Sequence, residues 1–286
     1  MRANPSSLAA RRQRLAACWA HGRPAVMGVL NCTPDSFSDG GRYFSQQAAF
    51  DHAVKMLAGG ADIIDVGGES TRPGAPPVPA AEEIHRVLPV IAELRRRHPD
   101  AVLSVDTSKA AVADEALAAG ADLINDVTAG RDPAMLRLAA DRSAGLILMH
   151  MRGTPRTMQS ETAYRHVVAE VHAGLSERAR SALDAGLPPE LVWLDPGIGF
   201  GKDDAGNLAL LAALPDLASL GHPVVVGPSR KSFIGRLTGA GVEDRLPGTL
   251  AALQPALACP RAVVRVHEPS AAVQYLQMAM LIASAR

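Results

Sequence analysis

Asp106, Asn125 and Asp195 each close a short apolar run, VLSVD, LIN and VWLD. A carboxylate at the end of such a run is partly buried, and burial is costly unless the charge finds a partner. The candidate partners are N–H groups of a ligand or the cation Lys231. Two carboxylates and one amide, able to accept and donate in one plane, suit a flat heterocycle carrying amino and oxo groups. A second set is cationic or hydroxylic: Ser70, Thr71, Arg72, Arg230, Ser232, Arg265 and His267. Arginine grips phosphate oxygens in pairs, and lysine adds a point charge. Arg265 and His267 are two apart in a strand-like run, so both side chains face one side. Asn31 and Asp35 add hard oxygen donors, the type that holds Mg2+ together with phosphate oxygens.

Other chemistries lack their signatures. His150 and His267 have no third ligand at useful spacing, so zinc is not expected. There is no Walker loop, and LDPGIGFGK has the wrong glycine spacing for a dinucleotide fingerprint. It reads as a mobile loop. Phe37, Phe200 and Phe233 each follow a strand-like run, which positions them to pack on a planar ligand.

These residues need a scaffold that brings strand ends together. Strand-like runs fall at 25–31, 61–66, 102–106, 123–126, 146–150, 192–195, 224–227 and 262–267. Helical periodicity fills 46–58, 80–98, 110–119, 133–140, 164–185, 207–220, 247–258 and 270–283. Gly59-Gly60, Gly120, Gly186 and Gly221 stand where helix C-caps belong. Eight strand-then-helix units without a linker predict an α/β fold, a single (β/α)8 TIM barrel. An open doubly wound sheet has the same element order and is the alternative. In a barrel every strand delivers its C-terminal residue to one mouth.

The bulk composition narrows the partners. The 29 basic and 29 acidic residues cancel, which favours neither nucleic acid nor a membrane surface. No apolar run approaches the roughly 20 residues of a membrane span. Cys18, Cys32 and Cys259, without CxxC pairing, suit a reducing, cytoplasmic setting. Residues 1–24 contain arginines and no acid, a composition shared by transit peptides and by short capping helices. We read them as a capping extension, and 25–286 as the barrel.

Taken together, these segments resemble the dihydropteroate synthase family of the folate pathway. MGVLNCTPDSFSDGG (27–41) is similar to its first loop and GGESTRPGA (67–75) to its second. SVDTSK, NDVTAG, LMHMRG, LDPGIGFGK, GPSRKSFIG and RVHE follow in the family's order. The resemblance implies a pterin pocket of Asp106, Asn125, Asp195 and Lys231, lined by Met149, Phe200 and Gly227. It implies a diphosphate site of Asn31, Thr71, Arg72, Arg265 and His267, with Mg2+ on Asn31. Phe37, Thr71, Pro73 and Ser232 would shape a p-aminobenzoate site. Catalysis would rest on Lys231, Asp106, Arg265, Asp35 and Arg72. The implied reaction joins 6-hydroxymethyl-7,8-dihydropterin diphosphate to p-aminobenzoate, and the implied assembly is a homodimer.

Two other readings are a non-catalytic pterin-binding relative and a pterin-dependent methyltransferase barrel. The second would have no use for TPDSFSDGG, STRPG or the SRKS cations. Three features depart from the family pattern. The first 23 residues lack its usual N-terminal β-hairpin, Cys32 stands where valine is common, and the proline-bearing stretch 253–261 is short.

Overall fold

A computed structural model describes residues 5–33, 41–70, 74–154, 156–160 and 162–285. Helix α1 (Pro5–Ala17) precedes strand β1 (Ala25–Asn31) and helix α2 (Gly41–Ala58). The alternation continues through β2 (Ile63–Gly67), α3 (Ala80–Arg97), β3 (Val102–Asp106), α4 (Ala110–Ala119), β4 (Leu123–Asp126) and α5 (Pro133–Arg142). Then come β5 (Gly145–Met149), α6 (Val167–Asp184), β6 (Val192–Asp195), α7 (Asp204–Ala212), α8 (Leu214–Ala218) and β7 (Val224–Val226). The chain finishes with α9 (Ser232–Thr238), α10 (Leu246–Ala252), β8 (Ala262–Val266) and α11 (Pro269–Ser284).

The eight strands are parallel and close into a barrel, with β8 pairing back onto β1 through Ala25 and Val263. Closure excludes the open doubly wound sheet. The strands are almost wholly buried, as expected of apolar runs covered on both faces. Their register sets Asn31, Gly67, Asp106 and Asn125 level with one another. Two residues below, Asp65 of β2 pairs with Ser104 of β3. Across the barrel Met149 is level with Asp195.

Helix α1 is anchored beside the ends of α4 and α5. Arg14 and Arg95 each approach the buried Asp122 at 2.7 Å, and Asp122 also accepts the Leu103 N–H. Arg11 donates to the carbonyls of Leu117, Ala121 and Arg142, where α4 and α5 run out. The last carbonyls of a helix point away from its own N–H donors, and a cation suits this negative end. Trp19 packs against Trp193 in a tilted pair, 5.3 Å between ring centroids.

Two expected helices are each divided by proline. Pro215 lies in the first turn of α8, so 207–220 is two helices with Ala213 between them. Pro255 similarly ends α10 and starts a 3-10 turn, Gln254–Ala258. Proline supplies no backbone N–H and fits the first turn of a helix, not its interior. Helix α9 is an element the periodicity did not reveal. It carries Phe233 into the main core at 3 % exposure, which corrects the expectation that Phe233 stacks on a ligand. Gly120 ends α4 with φ of 117°, the left-handed conformation its C-cap position requires. No described helix is long and apolar enough to cross a membrane.

Candidate functional site

The C-terminal ends of the strands surround a pocket of about 350 Å³. Asp106, Asn125 and Asp195 bring it polar groups from β3, β4 and β6, as alternation along each strand demands. Met149, Val127, Ile198 and Phe200 form its apolar walls, and Gly227 leaves room at the end of β7. Lys231 and Arg265 complete the lining. The Lys231 ammonium sits 4.0 Å from the centre of the Phe200 ring, a cation–π contact. Thus Phe200 faces the pocket.

Arg265 organises the floor of this pocket. Its Nε donates to Asp65 Oδ2 at 2.7 Å, and its Nη2 donates to Asp106 Oδ2 at 2.6 Å. Asn125 Nδ2 donates to the same Asp65 oxygen at 2.9 Å. Asp106 is thus held by Arg265, a partner the sequence reading did not name: the guanidinium, with two parallel donors, bridges two carboxylates. Asn125 keeps its Oδ1 for a ligand donor. Asp195 accepts the Gly197 N–H at 2.6 Å and has a second oxygen for a ligand.

Burial dominates the proton chemistry. It pushes Asp106 up to about 7, with Arg265 opposing and Asp65 reinforcing the shift. It pushes Asp195 up to about 6 against the Gly197 N–H and the cations Arg265 and Lys231. It draws Lys231 down to about 8, helped by Arg265 and resisted by Asp195 and Asp106. Arg265 loses hydration by burial, yet Asp65 and Asp106 hold it above its ordinary value, so it stays charged. A ligand that donates N–H groups to the carboxylates supplies what burial has removed.

His267 lies just past β8. Its Nδ1 is 2.9 Å from Ser229 Oγ, which also accepts the His267 backbone N–H. Arg230, expected among the anion-binding cations, is instead engaged by Glu268 at 2.5 Å and by Glu243. Ser232 is exposed at the first turn of α9, next to Lys231 in the chain. Asn31 ends β1 with its amide free of hydrogen bonds to the described residues. A single hard oxygen fits Mg2+, which completes its shell with phosphate and water oxygens. Among the described residues no group of three His, Cys, Asp or Glu competes with a site for another metal. Asp35, Phe37, Thr71, Arg72 and Pro73 lie outside the described residues.

Residues 27–267 match the family described as pterin binding enzyme. A dihydropteroate synthase from Synechocystis is 46% identical over 259 residues, 90% of this chain and 89% of that protein. Among solved structures, the Xanthomonas albilineans dihydropteroate synthase with 4-aminobenzoic acid superposes with a TM-score of 0.85 at 46% identity. It covers 91% of this chain and 93% of its own. The same enzyme in complex with 7,8-dihydropteroate gives a TM-score of 0.82 at 44% identity over 91% of this chain and 94% of that one. The chain belongs to the dihydropteroate synthase family.

Against that family's motifs, two residues of this site and one behind its wall escaped the sequence reading. Asp65 sits inside ADIIDVGG, and a lone acid within a buried apolar strand was itself the signal, because only a partner in the barrel can stabilise it. Ser229 precedes the SRKS cations and shows its role only once β8 lies beside it. Lys202, in GIGFGK, looked like part of a mobile loop. The structure instead ties that loop down, with Gly199 N–H bonded to Asn207 and Lys202 buried beneath Phe200.

Proposed function

We propose that this member of the dihydropteroate synthase family condenses 6-hydroxymethyl-7,8-dihydropterin diphosphate with p-aminobenzoate, giving 7,8-dihydropteroate and diphosphate. The observation that carries this reading is the set of acceptors Asp106, Asn125 and Asp195 around a cavity walled by Met149 and Phe200. They match the edge of an amino-oxo heterocycle, and the walls match its faces.

The pterin ring enters with its N–H edge on Asp195 and Asn125. Lys231, held over Phe200, reaches the ring from the opposite side. Asp106 and Asp65 fix Arg265, so the remaining face of its guanidinium is aimed without further ordering. Arg265, His267 and Asn31 lie toward the diphosphate, with Thr71 and Arg72 assigned there by the motif GGESTRPGA. The Asn31 amide oxygen would hold magnesium, which would supply positive charge beside the leaving diphosphate. Charge leaving with diphosphate is met by the cations, and the electron-rich ring supports the exocyclic carbon as the C–O bond breaks. The p-aminobenzoate amine attacks that carbon, and an arylamine meeting a cationic carbon needs no strong base. Phe37, Thr71, Pro73 and Ser232 are assigned to p-aminobenzoate, and Asp35 to the catalytic loop.

Our reading includes a cytoplasmic homodimer. Met278, Leu281 and Ile282 of α11 are more than half exposed, an apolar face suited to a second copy. The test is diphosphate release from purified protein given dihydropterin diphosphate, with and without p-aminobenzoate and Mg2+. Release that needs all three, with dihydropteroate formed, is the expected result. Pterin binding without turnover under any of these conditions refutes the catalytic reading.

A further inference from the structure

Lys202 has no part in the site described above, yet it is 3 % exposed, and a lysine buried so deeply is costly unless something holds it. Its Nζ is 2.8 Å from the carbonyl of Phe200, 3.0 Å from that of Gly197 and 3.2 Å from that of His150. His150 Nδ1 lies 3.3 Å away. Three carbonyl acceptors match three N–H donors, the number that an ammonium has and a neutral amine lacks. The carbonyls come from two places, the residue after β5 and the turn after β6.

That turn is built around the cation. Gly197 has φ of 69°, and a Cβ there would stand 2.1 Å from the His150 carbonyl oxygen. The chain thus folds its carbonyls inward onto Lys202 while the Gly197 N–H points outward to Asp195. Phe200 turns its carbonyl to Lys202 and its ring to Lys231. Each contact behind the wall therefore sets a group on its front.

We propose that Lys202 is a positioning residue for the heterocycle pocket: its ammonium, cradled by the carbonyls of His150, Gly197 and Phe200, holds the Asp195 carboxylate and the Phe200 ring in their binding arrangement. This deepens the proposed function and rests on it. The cation also acts on Asp195 through space. Asp195 faces the Gly197 N–H from its own turn, Arg265 from β8, Lys231 from the segment after β7, and Lys202 from behind, and all four favour the carboxylate. Lys202 in turn faces Asp195, Lys231, Arg152 and His150. Burial draws Lys202 down to about 7 against the pull of Asp195, so the ammonium is present where Asp195 titrates, near 6, and removing its charge raises the pH below which Asp195 is protonated.

The experiment titrates 6-hydroxymethylpterin into the wild-type protein and the Lys202→Met and Lys202→Ala variants by calorimetry from pH 5 to 8, with kcat and KM for both substrates. We expect Lys202→Met to bind the pterin about ten- to a hundredfold more weakly, the usual effect of removing a group that orients a ligand-binding residue from behind. KM for p-aminobenzoate and kcat at saturation change far less. The acid limb of pterin binding moves to higher pH, and methylammonium restores affinity to Lys202→Ala. Wild-type pterin affinity in Lys202→Met overturns the proposal. So does an equal loss for both substrates with an unmoved acid limb and no rescue, which describes a merely structural lysine. If Lys202→Met does not fold, Lys202→Ala prepared in methylammonium decides by the same readouts. Failure of the wild type to bind the pterin overturns the proposed function itself, and this inference with it.

Discussion

Asp195→Asn separates binding from stability, because the two effects have opposite signs. Burial raises the Asp195 carboxyl from 3.8 to about 6 in the folded, ligand-free protein. Above the unfolded value the unfolded chain ionises more readily, so folding is weakened as pH rises from 3.8 to about 6, and the loss is constant beyond. At ~1.4 kcal/mol per tenfold, the destabilisation at pH 7 is about 3 kcal/mol. Asparagine is neutral and retains an oxygen for the Gly197 N–H, which relieves that loss. Its NH2 is then left without a partner, at a cost of ~1–2 kcal/mol. The net expectation is a gain of about 1–2 kcal/mol and a Tm higher by a few degrees. At pH 5 the wild-type carboxyl is mostly protonated, and the linkage loss falls to about half its pH 7 value. Pterin binding moves the other way. Exchanging a charged acceptor for a neutral one costs about 1.5–3 kcal/mol, or roughly ten- to a hundredfold in Kd. Wild-type affinity also falls about tenfold per pH unit below about 6, because the ligand needs the carboxylate, while the variant loses this dependence. Thermal unfolding without ligand and calorimetry with 6-hydroxymethylpterin, both at pH 5 and 7, give the comparison. A variant that is less stable at pH 7 and binds the pterin as wild type does would refute the reasoning.

Other perturbations bear on the rest of the site and its frame. Lys231→Ala removes the cation over Phe200, and we expect kcat/KM to fall by at least about a hundredfold in steady-state assays, as when a preorganised charge is lost at a reacting centre. Asp65→Ala leaves Asn125 without its acceptor and Arg265 with one carboxylate; KM for the pterin substrate should rise about tenfold or more, with KM for p-aminobenzoate little changed. Asp122→Ala strands Arg14 and Arg95 on the barrel floor and should lower stability by about 3–5 kcal/mol in denaturant unfolding, with KM values unaltered.

The alternation of strands and helices and the residues at the strand ends were legible in the chain, whereas α9 and the closure of the sheet into a barrel were not. The legible features are local properties: apolar runs such as VWLD must be buried, glycines such as Gly120 close helices, and a carboxylate at the end of a run must reach the mouth. The motifs located the pocket for the same reason, since Asp106, Asn125, Met149 and Asp195 need only their strands to position them. Partnership was another matter. Arg265 and Asp65 are 200 residues apart in the chain, and only closure of β8 onto β1 brings the guanidinium to the carboxylate of β2. Lys202 looked like loop decoration because its three acceptors are backbone carbonyls, which have no letter in the sequence. Phe233 followed the same pattern as Phe200, but the helix that starts beside it turns its ring inward. Which groups meet is decided by the long-range pairing of strands, and that pairing sets both the charge on Arg265 and the protons on Asp106 and Asp195.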